Sequence, residues 1–143
     1  MIHTNAASTY ARIGLETGVA AANPHRLILM LFDGAIAAIA DAAAKLSEQR
    51  IAGKGQAVSR AIRIIEEGLK ASLDLESGGE IAGSLNEMYD YMSRRLLLAS
   101  LRNDRAGLDE VARLLGELRG AWLDIGTRPL TQPSSMTQSQ AAA

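Results

Sequence analysis

Proline, the strongest helix breaker, is absent from the chain between Pro24 and Pro129. Most of the sequence can therefore form long helices without interruption. Hydrophobic residues make up 48% of the 143 residues but aromatic residues only 3%, so a core must be built from Leu, Ile, Ala and Met. These residues are tolerated or favoured in helices, and alanine is the best helix former. The chain is predicted to be all-α, and its length fits one domain.

Four stretches place apolar residues at steps of three and four, which is the spacing of one face of a helix. They predict helices over about residues 24–49, 55–73, 79–102 and 104–125. The clearest pattern is in the fourth stretch, with apolar residues at Leu108, Val111, Leu115, Leu118, Trp122 and Ile125. Asn23 is a suitable N-cap for the first helix, with Pro24 at its first position. Gly53 and Gly55 indicate a turn before the second helix. Short connections favour an antiparallel up-down-up-down four-helix bundle.

Composition divides the chain into three parts. Residues 1–22 are only weakly patterned and are interpreted as a short N-terminal capping segment. Residues 23–126 hold the four-helix bundle. Residues 127–143 are rich in Ser, Thr, Gln and Ala, a composition typical of a disordered tail.

Catalytic and metal-binding chemistry finds little support in the sequence. The two histidines, His3 and His25, have no acidic residue at helical spacing, so they are interpreted as ordinary surface residues. The Glu-x-x-His pairs of di-metal bundles are missing, as is a phosphate-binding glycine loop. We therefore predict a protein that is not an enzyme, with no catalytic residue, no metal site and no cofactor.

Charge and cysteine content restrict the partners and the compartment. Lys and Arg number 15 and Asp and Glu 16, and the net charge of −1 gives no electrostatic footprint for nucleic acid. Cysteine is absent, which suits a reducing compartment. The apolar stretch from Leu27 to Ala40 is too short to span a bilayer, and no secretory signal is visible. The sequence predicts a cytoplasmic protein without membrane insertion.

The helices carry more apolar residues than one bundle seam needs. In the third helix the core stripe is predicted at Ile81, Leu85, Met88, Met92 and Ala99. Other apolar residues of the first and third helices then remain outside the core: Leu29, Phe32, Ile36, Tyr89, Tyr91 and Leu96. Such a set favours a surface for another polypeptide, because exposed apolar patches often mark partner sites. A wider core stripe or a homodimer contact would also account for these residues.

Four segments are distinctive in their order and spacing. The first runs from Tyr10 through TGVAAANPHRLILMLFDGAI, and the second is AIRIIEEGLKASLDLESGGEIAGSL. The third is NEMYDYMSRRLLLAS, and the last is LDEVARLLGELRGAWLDI. Together they cover about residues 10–125, and they resemble the flagellin-specific export chaperones, the FliS family. The fold of that family is an antiparallel four-helix bundle, as the periodicity predicts.

The resemblance implies a client, meaning the polypeptide that a chaperone binds. Chaperones of this family bind the disordered C-terminal region of flagellin in the cytosol, prevent its premature polymerisation and help deliver it to the flagellar type III export gate. Their N-terminal segment can cover part of the same surface. The residues expected to bind the partner are Tyr10, Ile13, Leu29, Phe32, Ile36, Tyr89, Tyr91 and Leu96. The alternative is a regulatory adaptor that binds an anti-sigma factor or another expression regulator.

Overall fold

The computed structural model describes residues 23–127, which fold into four consecutive helices. Three of them are regular α-helices, and the second changes its helical pitch near its end. The elements are α1 (Pro24–Ser47), α2 (Ile51–Arg63, continued by a π-helix at Ile64–Leu69 and a 3₁₀ turn at Lys70–Ser72), α3 (Gly79–Arg102) and α4 (Arg105–Thr127). The predicted all-α bundle is confirmed. Of the predicted N-terminal capping segment and disordered tail, nearly all lies outside the described residues.

The helices form a ring in which each runs antiparallel to its two neighbours. The ring of Trp122 near the end of α4 stacks on that of His25 at the start of α1, with centroids 5.0 Å apart. Lys54 at the start of α2 donates to the carbonyl of Ser100 near the end of α3 at 2.6 Å. Both contacts join the beginning of one helix to the end of another. We call the end where α1 begins and α4 ends the lower end of the bundle.

Polar side chains set the beginnings and ends of the helices. The Asn23 carboxamide oxygen accepts a hydrogen bond from the backbone N–H of Arg26 at 2.8 Å, which confirms this residue as the N-cap of α1. The C-cap of α3 is Asn103, whose backbone is left-handed with φ 52°. The Asp104 carboxylate then accepts from the N–H of Ala106 at 3.1 Å and starts α4.

The turn before α2 lies earlier than the sequence predicted. α2 begins at Ile51, so Gly53 and Gly55 are helical, and their assignment to a turn is wrong. Gln49 makes the reversal instead, with a left-handed φ of 60°. A Cβ atom at Gly53 would lie 2.9 Å from Cδ of Lys45. The start of α2 therefore packs closely on α1, and a side chain at this position would require the flexible lysine to move.

The π-helix in the second helix was not predicted. A π-turn adds a residue to the helical ladder and changes the direction of the side chains that follow. Gly68 within it is buried, and a Cβ atom there would lie 3.0 Å from Cδ2 of Leu31 on α1. The hydroxyl of Ser72 donates to the Gly68 carbonyl at 2.6 Å. The distortion thus permits close contact with α1, and a side chain satisfies a backbone oxygen within it.

Small aliphatic side chains dominate the core, as the low aromatic content predicted. α1 contributes the largest share because its contacts with α2 and α4 are the most extensive in the described bundle. The buried hydrophobic residues are Leu31, Phe32, Ala35, Ala38, Ile39, Ala42, Ala43, Ala57, Val58, Ala61, Ile65, Leu69, Ala82, Tyr89, Met92, Leu96, Ala99, Leu108, Val111 and Leu115.

The core face of α3 is rotated from the predicted stripe. Ile81 and Met88 were assigned to the core but are 75% and 36% exposed. The residues that follow them, Ala82 and Tyr89, are buried in their place. Both stripes step by three and four, so periodicity alone accommodates either one. The packed structure buries the stripe Ala82, Leu85, Tyr89, Met92, Leu96 and Ala99, of which Leu85 is only partly buried.

Lys54 is a charged residue in an otherwise apolar interior and is only 4% exposed. Burial of an ammonium group is costly unless it finds partners. Its Nζ donates to the Ser100 carbonyl and, at 3.3 Å, to the Ser100 hydroxyl. The last carbonyls of a helix have no partner within the helix and carry partial negative charge. The lysine therefore fixes the start of α2 against the end of α3.

In the described part of the chain, α1 meets the length and hydropathy criteria for a membrane span, with a mean hydropathy of 1.9 over its most apolar window. α1 is longer than the apolar stretch from Leu27 to Ala40, which by its length was predicted to be too short to span a bilayer. A core helix of a soluble protein meets the same criteria, and seven residues of α1 are buried among the other helices. The high hydropathy of α1 is therefore explained by its place in the bundle core.

Adjacent leucines on α3 test the observed core face. Leu96 is fully buried, whereas Leu97 is 52% exposed. We expect Leu96→Ala to lower the free energy of unfolding by about 2–5 kcal/mol, because it leaves a cavity. We expect Leu97→Ala to cost less than about 1 kcal/mol. Urea denaturation of both variants measures the difference, and equal losses would contradict the assigned orientation of α3.

Candidate functional site

Large apolar side chains are exposed on several parts of the described surface, and α3 carries most of them. Scattered exposed leucines are normal on a protein surface, but a cluster on one helix indicates a contact site. The exposed large hydrophobic residues are Ile51, Leu75, Ile81, Met88, Tyr91, Leu97, Leu98, Leu101, Leu123 and Ile125.

Helical positions place one group of these residues at the junction of α3 and α4 towards the lower end. The register of the two antiparallel helices is fixed higher up, where Arg95 Nε donates to Glu110 at 2.8 Å. Ile81 lies fourteen residues below Arg95 and Ile125 fifteen residues below Glu110, so the two lie near the same level of the antiparallel pair, and they are 75% and 59% exposed. Between them and the core lie partly buried hydrophobic residues, Leu85 and Leu118. We call the set Ile81, Leu85, Met88, Leu118 and Ile125 the lower groove.

Three of the predicted partner-binding residues are part of the core. Phe32 and Tyr89 are each 3% exposed, and Leu96 is fully buried. Their predicted position outside the core is wrong. For Phe32 the reason is that α1 makes the most extensive contacts with both of its neighbours and buries a wide face. For Tyr89 and Leu96 the reason is the rotation of the core face of α3 described above.

The other predicted residues lie elsewhere. Leu29 and Ile36 on α1 are partly buried, and Ile36 packs against the core. Tyr91 is 39% exposed, and its hydroxyl donates to the Glu110 carboxylate. Tyr10 and Ile13 lie outside the described residues. The structure therefore does not bring the predicted set together into one surface.

His25 has a different environment from the surface position that the sequence suggested. It is partly buried, its Nε2 lies 2.5 Å from the carbonyl oxygen of Trp122, and the indole N–H donates to the His25 carbonyl at 2.9 Å. A Cβ atom at Gly126 would lie 2.0 Å from the imidazole, so a glycine is required there. The stacked pair closes the lower end of the bundle beside the lower groove.

Comparison with known proteins gives the family. The family model described as flagellar protein FliS matches residues 6–129. A flagellar secretion chaperone FliS of Salmonella typhimurium is 50% identical over 125 residues, covering 87% of this chain and 93% of that protein. The chain belongs to the FliS family. Another FliS, from Escherichia coli, is 44% identical and covers 79% of this chain and 83% of its own, and FliSB of Pseudomonas aeruginosa is 41% identical and covers 85% and 96%.

FliS membership makes the chain a flagellar export chaperone, which agrees with a bundle that exposes apolar side chains. Within residues 23–127, no group of three or more His, Asp or Glu side chains is placed to hold a metal ion. This part of the chain instead has exposed surface that another polypeptide can contact. Besides the lower groove, an open depression of about 650 Å³ lies on α2 and is lined by Ala52, Gly55, Gln56, Ser59, Arg60, Arg63 and Ser100.

Sequence reasoning missed several exposed residues of this FliS-family chain. Leu97 and Leu101 on α3 are 52% and 72% exposed, and neither was assigned to a surface. A signal was present in the run of three leucines at 96–98. Successive residues of a helix point about 100° apart, so three in a row cannot all face one core. The run required exposed leucines, but which of them are exposed depends on the rotation of the helix.

A charged cluster holds α3 to α4 above the lower groove. Arg95 donates to Glu110 and also contacts the Asp104 carboxylate at 3.3 Å. The hydrogen bond from Tyr91, followed by that from Arg95, lowers the pKa of Glu110 below its usual value. The same bond to Glu110 raises the pKa of Tyr91. The cluster closes the upper part of the interface between the two helices.

The buried phenol of Tyr89 predicts an alkaline transition. Burial raises the pKa of Tyr89 from its ordinary value of 10.0 to about 12, because the charged phenolate is poorly solvated in the core. The folded pKa exceeds the unfolded one, so this contribution to stability is complete below pH 10 and is lost as the pH rises towards about 12. The shift corresponds to roughly 2–3 kcal/mol.

Absorbance titration of the tyrosines measures this transition directly. We expect the last ionisation of the folded protein to disappear in Tyr89→Phe and to remain in Tyr91→Phe. If Tyr89→Phe left the last ionisation in place, the burial of this phenol would be contradicted.

Proposed function

We propose that the chain is a cytoplasmic export chaperone that binds the disordered C-terminal region of flagellin. Binding would keep flagellin from polymerising before export and would help deliver it to a component of the flagellar type III export gate. The chaperone acts by contact alone, without a cofactor. Family membership supports the class of function. The lower groove is the observation that supports the proposed binding surface.

The lower groove suits an apolar segment of a flexible chain. Ile81 and Ile125 present large side chains to solvent from two facing helices, with partly buried leucines at the base. Amphipathic helices commonly bind in such grooves through residues spaced by three and four. The groove runs lengthwise between antiparallel helices, so a client helix could lie along it.

The energetics favour such binding. A client that is disordered when free loses conformational entropy on ordering, a cost of about 2–5 kcal/mol or more. Covering a large aliphatic side chain contributes about 1.5–3 kcal/mol. The three most exposed members of the lower groove, with the client residues that cover them, can therefore outweigh the ordering cost.

Residues 1–22 are proposed to cover the lower groove when no client is bound. The described chain begins at Asn23, and the neighbouring His25 contacts Trp122 and Gly126 at the end of α4. The capping segment therefore joins the bundle at the same end as the groove. Tyr10 and Ile13 would supply its apolar contacts. The client and the segment would then compete for one surface.

Isothermal titration with a peptide of the flagellin C-terminal region tests the proposal. We expect saturable binding to the full chain, and we expect Ile81→Asp to weaken it at least about tenfold, because the charge must be desolvated in the groove. Ile51→Asp is the matched control, since Ile51 is also exposed, at 48%, but lies on α2 at the upper end.

Two outcomes would contradict this account at different levels. Absence of heat and of any complex at tens of micromolar would contradict flagellin binding. Equal weakening by Ile81→Asp and Ile51→Asp would leave binding intact but would contradict the lower groove as its place.

Tyr10 gives a separate test of the capping segment. We expect Tyr10→Ala to strengthen binding of the client peptide, because the capping segment then competes less well for the lower groove, whereas Tyr10→Phe keeps the ring and should bind as the unaltered chain does. The same titration measures both variants. An unaltered affinity of Tyr10→Ala would show that this residue does not belong to the binding surface.

A further inference from the structure

The open depression on α2 lies at its junction with α3, towards the opposite end of the bundle from the lower groove. Ser100 of α3 lines the depression, and Lys54 at the start of α2 contacts that serine. Ala52, Gly55 and Ser59 on the α2 side are small residues, and a Cβ atom at Gly55 would meet nothing within 4 Å. The described residues therefore leave space here for side chains of another molecule.

Exposed leucines of α3 border this depression. The Ser93 hydroxyl donates to Glu66 on α2 at 2.6 Å, so Ser93 and Ser100 both face α2. Leu97 lies between these two serines in the sequence and shares their face of the helix, because residues three or four apart are neighbours. It is 52% exposed, and Leu101, one turn further, is 72% exposed. We call the following set the upper groove: Gly55, Ser59, Leu97, Ser100 and Leu101.

A positive charge is buried beneath the upper groove. Lys54 is 4% exposed, and among the described residues its ammonium group donates to the carbonyl and the hydroxyl of Ser100 and forms no ion pair with a carboxylate. Both acceptors are neutral, so the charge is not compensated. Because solvent screens a buried charge less than an exposed one, the field of this lysine extends into the groove.

Two arginines stand at the rim of the depression, with side chains 53% and 69% exposed: Arg60 and Arg63. Arg60 contacts Asp41 at 3.2 Å, but the same carboxylate also pairs with Lys45 at 3.0 Å. Arg63 approaches Glu67 at 3.9 Å. Counting the buried lysine, these four cations have two carboxylates between them within the described chain. The rim therefore favours a partner that brings carboxylates.

We propose that the upper groove binds an acidic amphipathic helix of a second partner protein, distinct from flagellin. Leu97 and Leu101 are one turn apart and form an apolar wall, which a helix with leucines at steps of three and four can cover. Glutamates beside those leucines reach the guanidinium groups of Arg60 and Arg63, and such charge-assisted hydrogen bonds are strong. The lower groove lies towards the other end of the bundle, so both partners can bind at once.

The distribution of charge directs an acidic helix to the upper groove and away from the lower one. Residues 71–93 run from the end of the second helix to the middle of α3, and they contain five acidic residues and no lysine or arginine. Like charges that face each other are destabilising. An acidic helix is therefore repelled along the lower half of α3 and attracted at the upper end.

Two synthetic peptides test the proposal. The first is an amphipathic helix with leucines at steps of three and four and glutamates beside them, and the second has lysine at each glutamate position. Fluorescence anisotropy of the labelled peptides, titrated with the full chain, measures their dissociation constants. We expect the acidic peptide to bind saturably and less tightly in high salt, and the lysine peptide to bind at least about tenfold more weakly.

Two sets of variants place the binding at the upper groove. Gly55→Leu fills open space and should raise the dissociation constant of the acidic peptide at least about tenfold, while thermal unfolding shows an intact fold. Arg60→Glu combined with Arg63→Glu reverses the rim and should make the lysine peptide the tighter ligand. Gly116→Leu and Arg113→Glu make matched changes at exposed positions of α4 and should leave binding unaltered.

Several results would overturn the proposal. Absence of binding by the acidic peptide would do so, as would equal binding of the two peptides or an unaltered affinity of Gly55→Leu. Displacement of the acidic peptide by saturating flagellin peptide would assign the upper groove to the client instead. We expect Ile81→Asp to bind the acidic peptide as the original chain does, so failure of the lower groove is distinguishable from failure of the upper one.

Discussion

The bundle depends on the close approach of α2 to α1. Gly68 is buried against α1, where a Cβ atom would lie 3.0 Å from Leu31, and at Gly53 a Cβ atom would meet the flexible Lys45 side chain at 2.9 Å. Alanines are eight of the twenty buried hydrophobic residues, and small side chains allow helices to approach closely. With so little volume available inside, larger apolar side chains on the flanks of each helix remain at the surface. The contact surfaces of this chaperone are thus a consequence of its narrow core.

The fold could be predicted because helix periodicity, proline placement and capping residues all indicated the same four helices. Asn23 caps α1 as expected, and α3 begins and ends where the sequence placed it. The error at the turn before α2 has a physical cause. Glycine serves both reversals and close packing, and the sequence around Gly53 does not distinguish them, whereas Gln49 adopts the left-handed conformation that was expected of a glycine.

The candidate site was less predictable than the fold. On α3 two stripes, one through Met88 and one through Tyr89, both satisfy the helical repeat, and only packing against α2 and α4 decides between them. Of the apolar residues predicted to lie outside the core, Phe32, Tyr89 and Leu96 are buried, and other apolar residues of α3 are exposed instead. The resemblance to FliS supplied the class of function, which periodicity cannot provide.

The stacked contact of His25 and Trp122 has a practical consequence for experiments on this protein. It holds the first turn of α1 against the last turns of α4, so both ends of the described chain leave the bundle side by side. An affinity tag or fluorescent fusion at either terminus would therefore be connected to the bundle at the end that carries Ile81 and Ile125. Moving the label to the opposite terminus would therefore be a poor control, and an insertion at the loop around Gln49, at the far end, would be the better design.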